Sequence, residues 1–131
     1  MATVAEYMRR DRIVTCTTDT SLREASRLMA ENKVGSIIVV GDGMKLKGIF
    51  TERDLVRAIA GEADPDKGRV GDYITEHVVT VAPYESIVKA GQIMLEHGIR
   101  HLPVVDSSGR VVGVISVRDA LRAILASSEF P

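Results

Sequence analysis

No tryptophan occurs among the 131 residues, and the aromatics amount to two phenylalanines and three tyrosines. Surfaces that stack on bases need several such rings, so their scarcity disfavours general nucleic-acid binding. An excess of positive charge is missing as well. Seventeen Lys and Arg against eighteen Asp and Glu leave a formal charge of −1, too little to draw in a polyanion. A single cysteine, Cys16, allows no internal disulfide, and nothing points to an oxidising compartment. Cys16 reads as a small buried hydrophobe. No apolar stretch approaches the ~20 residues of a membrane helix, and the first residues lack the apolar core of a signal peptide. A soluble, cytoplasmic protein with no membrane partner is expected.

What the chain has in quantity is itself. Shifted by 65 positions, Val14-Thr15 falls on Val79-Thr80, Val39-Val40 on Val104-Val105, and residues 48–59 on 113–124; 14 of the 49 pairs from position 12 to position 60 are identical. Such agreement at one offset without a gap is duplication. A unit present only twice covers its apolar face with its own copy, as stacked repeats do, and the place to look for function is the cleft between copies. With 45% hydrophobic residues and few rings, the core is Val, Ile, Leu, Ala and Met, the interior of an aliphatic α/β fold.

Both copies read in the same order. Residues 21–32 and 86–97 place apolar side chains at Leu22, Ala25, Leu28, Met29 and at Ile87, Ala90, Ile93, Met94, one face of a helix. Ser21 with Glu24 predicts a capping box at the first. Residues 37–40 and 102–105 suit strands buried on both faces. Turn residues Gly41-Asp42-Gly43 and Asp106-Ser107-Ser108-Gly109 then return the chain as hairpin partners over 46–50 and 111–115. A last helix starts at Thr51 or Ser116. With a short strand at Val14-Thr15 or Val79-Thr80, the order is β-α-β-β-α, twice. Gly61, Pro65 and Gly68 among charges mark the connection. The division expected is a first repeat over 1–62, a linker over 63–69 and a second repeat over 70–131. Residues 4–8 and 70–74 add a helical turn ahead of each copy, matching at an offset of 66.

The sharpest local signal is Gly48-Ile49-Phe50-Thr51-Glu52-Arg53-Asp54, repeated as Gly113-Val114-Ile115-Ser116-Val117-Arg118-Asp119. A strand that turns at once into a helix aims its first free amides at one spot, a site for an anion. A hydroxyl there and a carboxylate one turn on can hold a vicinal diol, since an ionised Asp accepts from both ribose hydroxyls. Arg53 and Arg118 stand beside it with a fork that fits phosphate. The same residues also make a plain cap, because Thr51 with Asp54 and Ser116 with Asp119 fill most of a capping box with no ligand.

Two such heptads in register, in this fold order, resemble the glycine, two apolar residues, Thr/Ser, two variable residues, Asp signature of cystathionine-beta-synthase (CBS) domains, over nearly the whole chain. The resemblance implies an α/β (α+β) fold of two pseudo-twofold-related repeats packed sheet to sheet. It implies two clefts for an adenosyl ligand: AMP first, with ADP, ATP, S-adenosylmethionine or NAD as alternatives. The cleft of Asp54 would take Arg100, His101 and Leu102 from the second copy, Ala82 and Ile87 near the base, and Phe50 from its own strand. The cleft of Asp119 would take Gly35, Ser36 and Ile37 from the first copy, with Thr17, Leu22 and its own Ile115. Arg100 and His101 offer charge to a phosphate where Gly35 and Ser36 offer amides and one hydroxyl, which favours the Asp54 cleft for a phosphorylated nucleotide. Pro103 against Ile38 removes an amide at the pocket edge.

Other constellations fall away. His97 and His101 have the spacing of a helical metal pair, but Gly98 lies between them where helix gives way to strand, and no metal is expected. His77 reads as the start of a strand without a partner. Gly41-Asp42-Gly43 lacks the last glycine of a dinucleotide fingerprint. No hydroxyl-base-acid set is evident, so no enzyme is expected. The expected role is a regulatory module, homodimeric through its helices as family pairs commonly are, that acts on a separate effector protein. The alternative is a structural or protein-interaction module with empty clefts.

Overall fold

The fold is described from a computed structural model that covers residues 2–11, 13–74 and 78–127. His77 and the last four positions of the second repeat lie outside the described residues. In chain order the elements are α1 (Val4–Tyr7), β1 (Thr15–Cys16), α2 (Leu22–Asn32), β2 (Ser36–Val40), β3 (Leu46–Thr51), α3 (Glu52–Ala60), α4 (Ile87–His97), β4 (His101–Val105), β5 (Val111–Ser116) and α5 (Val117–Ala126), with single 3-10 turns at Asp42–Met44 and Val70–Asp72. This mixed α/β order is the duplicated one read from the sequence, except that no strand precedes α4 in the second copy.

The chain divides into two compact units, Val14–Val78 and Met1–Ile13 with Val79–Pro131. The segment ahead of each copy therefore serves the other. Val70 and Gly71 donate their amides to the Thr20 and Thr18 carbonyls at 2.8 and 2.9 Å, and Val4 and Ala5 donate to the Glu85 and Pro83 carbonyls at 2.8 and 2.9 Å. Val4 and Val70, each wholly buried, drive this docking by filling a core the copy would otherwise leave open.

In the unit of Val14–Val78, β1 runs parallel to β2, and β2 pairs antiparallel with β3, Ser36 facing Thr51 and Ile37 facing Phe50. Leu22, Ala25 and Met29 of α2 bury the predicted face against Ile37, Val39 and Phe50. The capping box at Ser21 is only half made. Ser21 Oγ accepts from the Glu24 amide at 3.1 Å, but the Glu24 carboxylate turns outward to Arg27 at 2.7 Å. At the far end, Lys33 adopts the left-handed conformation (φ 55°) where α4 ends on Gly98 (φ 63°). A Cβ in that region costs roughly 1 kcal/mol. Lys33→Gly should therefore raise stability by up to about 1 kcal/mol, read as a higher melting midpoint.

In the other unit, β4 and β5 pair antiparallel, His101 facing Ser116 and Leu102 facing Ile115. Ile87, Ala90 and Met94 of α4 pack with Leu102, Val104 and Ile115. The strand expected at Val79-Thr80 is reduced to one parallel bridge, Val81 with Val104. Pro103 supplies the reason. In the first copy the Ile38 amide donates to the Val14 carbonyl at 3.1 Å; its counterpart Pro103 has no N–H to offer Val79.

Candidate functional site

Both strand-to-helix corners form from local chemistry. Thr51 leaves β3 extended and caps α3, its Oγ1 accepting from the Asp54 amide at 3.2 Å while Asp54 Oδ2 accepts from the Thr51 amide at 2.8 Å and hydroxyl at 3.0 Å. Ser116 and Asp119 repeat this at α5, at 3.1, 2.9 and 2.8 Å. Each corner is thus a closed capping box with Asp in place of the usual Glu. One of the free amides expected at each helix start is already taken. Glu52 N donates to the Gly35 carbonyl at 3.0 Å and Val117 N to the Arg100 carbonyl at 2.9 Å. With the third amide capped, those of Arg53 and Arg118 are not claimed by another group among the described residues.

The corners differ at the second carboxylate oxygen. An ionised carboxylate offers about four acceptor positions. The box occupies Oδ2 of Asp54, and among the described residues nothing claims its Oδ1. Asp54 is half-buried. Asp119 is 2% exposed. Its Oδ1 accepts from Arg122 Nη1 at 2.8 Å and faces Arg9 Nε at 3.6 Å. Arg9 escaped the sequence reading, although Arg9-Arg10 aligned with Thr75-Glu76 was a visible difference between the copies.

The remaining candidates fall into two groups, one per unit. Gly35, Ser36 and Ile37 run beside Phe50 and Thr51 on paired strands, with Leu22 in the same core and Thr17 exposed nearby in sequence. Arg100, His101 and Leu102 run likewise beside Ile115 and Ser116, with Ile87 in their core. Arg53, Arg118, Arg100 and His101 are exposed. The side chains of Leu22, Ile37, Phe50, Ile87, Leu102 and Ile115 are committed to the cores, which leaves only their main chain to offer. The amides of Thr17 and Ala82 are already taken, by Thr20 Oγ1 at 3.1 Å and the Glu85 carboxylate at 3.0 Å. The Ala82 amide is also what first holds the Glu85 carboxyl below its ordinary range, with Lys89 adding to it. An open hollow of about 280 Å³ includes Ala82. Among the described residues no three of His, Cys, Asp or Glu gather as metal ligands, and no helix is long and apolar enough to cross a membrane.

The family model of the CBS domain matches residues 4–61 and again 70–126. The chain belongs to the CBS domain family. A CBS domain-containing protein of Arabidopsis thaliana, CBSX3, mitochondrial, is 37% identical over 115 residues, which is 84% of this chain and 55% of that protein. The chain thus spans about half the length of that relative. Among solved structures, Arabidopsis CBSX2 in complex with AMP superposes with a TM-score of 0.83 at 27% identity, covering 95% of this chain and 97% of that one. The CBS domain pair of protein MJ0100 in complex with 5'-methylthioadenosine and S-adenosyl-L-methionine gives 0.81 at 25%, covering 95% and 96%.

Two titratable groups of this CBS pair are shifted where candidates cluster. Burial pushes the Cys16 thiol up, against a smaller opposite effect of Thr20, which keeps it protonated and inert. His101 is pushed below the ordinary imidazole value of 6.5, first by desolvation and then by the Arg100 charge, with Asp119 opposing. His101 is exposed, so the surrounding protein desolvates it only in part. A lowered folded value means that the unfolded chain takes up the proton first. Stability contributed by His101 is present above pH 6.5 and is lost as pH falls through the folded value. His101→Gln should flatten that part of the profile, measured by urea unfolding between pH 7.5 and pH 5, about the imidazole range.

Proposed function

We propose that this CBS pair is a non-catalytic sensor that binds an adenine nucleotide, AMP first, and passes the result to a separate protein. The observation that carries the reading is the Asp54 carboxylate, fixed by Thr51 through one oxygen while the other keeps two acceptor positions, the number a ribose diol needs. AMP, S-adenosylmethionine and 5'-methylthioadenosine, the molecules held by the two similar structures, share that diol and the adenine. Arg100, His101 and Leu102 toward the Asp54 ribose, and Gly35, Ser36 and Ile37 toward that of Asp119, belong to this proposal by family resemblance. So does a cytoplasmic setting. Ligand acts by favouring one arrangement of the module, as any effector must.

The competing reading is a structural module whose corners are only caps, and the closed boxes at both corners favour it. A thermal melt separates the two. AMP at 100 times its dissociation constant adds ~2.7 kcal/mol to a binder and nothing to a capped scaffold. An unchanged midpoint with AMP, S-adenosylmethionine and NAD alike would reject the sensor. Mass spectrometry of what co-purifies with the denatured protein would name the ligand.

A homodimer is part of the same reading. Val117, Leu121, Ile124 and Leu125 are 40%, 53%, 41% and 55% exposed, and their spacing puts them on one face of α5. That apolar face suits a self-complementary twofold contact. Leu121→Asp should shift the protein to monomer in light scattering, at unchanged fold by circular dichroism.

A further inference from the structure

Asp119 is the single charged side chain among the described residues that is buried in the core, and all of its partners come from its own unit. A buried carboxylate has to be paired, and here two guanidiniums do it. Arg122 lies one turn along α5. Arg9 comes from the segment ahead of the first copy. It reaches Asp119 because that segment is laid along β5, Arg9 N donating to the Val114 carbonyl at 2.8 Å and Val114 N to the Arg9 carbonyl at 3.0 Å. Gly113 permits the approach, since a Cβ there would stand 2.8 Å from Met8 Sδ and 3.1 Å from the Arg9 carbonyl oxygen. Among the described residues Asp54 has no such company. The counterpart of Arg122 is Arg57, which makes no ion pair with it, and at the offset of 66 the counterpart of Arg9 is Thr75, a residue without charge that lies outside the described residues.

We propose that Arg9, backed by Arg122, is a built-in occupant of the Asp119 corner, so that the module takes one adenosyl ligand at Asp54 and opens its second corner only when the leading segment lifts from β5. The ligand part rests on the sensor reading above; the latch itself does not. A ribose offers two neutral hydroxyl donors, each weaker than a guanidinium toward a carboxylate. The cation is also tethered by its own chain, so it returns at high effective concentration whenever it leaves. A ligand at Asp119 would have to displace Arg9, and its occupancy would be coupled to release of residues 2–11. The duplicated module would then respond in two stages, first at the open corner and then, at higher ligand concentration, at the latched one.

Titration calorimetry with AMP tests it. The wild-type chain should bind one equivalent at low concentration, and Asp54→Ala should lose it. Adding Arg9→Gln and Arg122→Gln to Asp54→Ala should restore binding by at least about tenfold over Asp54→Ala alone, and a further Asp119→Asn should remove it again. Two equal equivalents in the wild type, or no recovery in the triple variant, would overturn the latch. Should no form bind AMP, S-adenosylmethionine or NAD, the sensor reading fails and the latch is judged without ligand. Hydrogen exchange at the Arg9 and Val114 amides should then quicken severalfold in Arg9→Gln relative to wild type, whereas unchanged protection would overturn it.

Discussion

Phe50→Ala should destabilise the unit of Val14–Val78 by about 3–5 kcal/mol, the cost of truncating a buried ring and leaving a cavity. Among the described residues Phe50 is the largest wholly buried side chain, at 0% exposure. It sits on β3 opposite Ile37 and packs with Leu22, Ala25, Met29 and Val39. Small domains have about 5–15 kcal/mol in all, so the truncation removes about a fifth or more of what holds the corner at Thr51 in place. A urea midpoint lowered accordingly is the expected result. The milder Phe50→Leu separates core from contact. It should cost about 1 kcal/mol and leave AMP affinity unchanged, because the ring faces its own core. A tenfold loss of affinity in a stably folded Phe50→Leu would instead make the ring a wall of the adenine site.

Much of this architecture was legible because the chain was written twice. A helix over 21–32 argued from one apolar face is a modest inference; the same face over 86–97 doubles the evidence, and both helices are present as α2 and α4, with Ser21 and Ser86 as their caps. The corners were legible for another reason. A cap is decided within four residues, so Thr51 with Asp54 and Ser116 with Asp119 could be read without knowing any long-range contact. What escaped depends on distant pairing. The exchange of leading segments follows from Val4 and Val70 finding the other copy's core, which no local period reveals. Arg9 at Asp119 needs that exchange first. The lost strand at Val79-Thr80 was hidden differently: Pro103 was seen as an asymmetry, but its missing amide matters only once its register against Val81 is known. Glu24 shows the limit of local rules, since Arg27 at one turn's distance outcompeted the cap for its carboxylate.

Asp54→Ala and Asp119→Ala should fail in opposite ways. Removing Asp54 deletes the acceptors for both ribose hydroxyls. Hydrogen bonds to a charged group contribute about 1.5–3 kcal/mol each, so AMP affinity should fall at least about 100-fold. Stability should fall by about 1 kcal/mol, since half a cap is lost and Asp54 is only half-buried. Asp119 reverses the weighting. It is buried, it caps α5, and it neutralises Arg122 and Arg9. Asp119→Ala should cost about 1–3 kcal/mol for the cap and the orphaned Ser116 amide, with the two arginines, half-exposed, regaining water. Its effect on AMP affinity should stay within about threefold, because that carboxylate is engaged before any ligand arrives. Calorimetry and urea unfolding on the same two variants give all four numbers. A larger affinity loss in Asp119→Ala would move the ribose to the other corner, and with it the claim that a carboxylate already bridged by its own arginines is closed to a sugar.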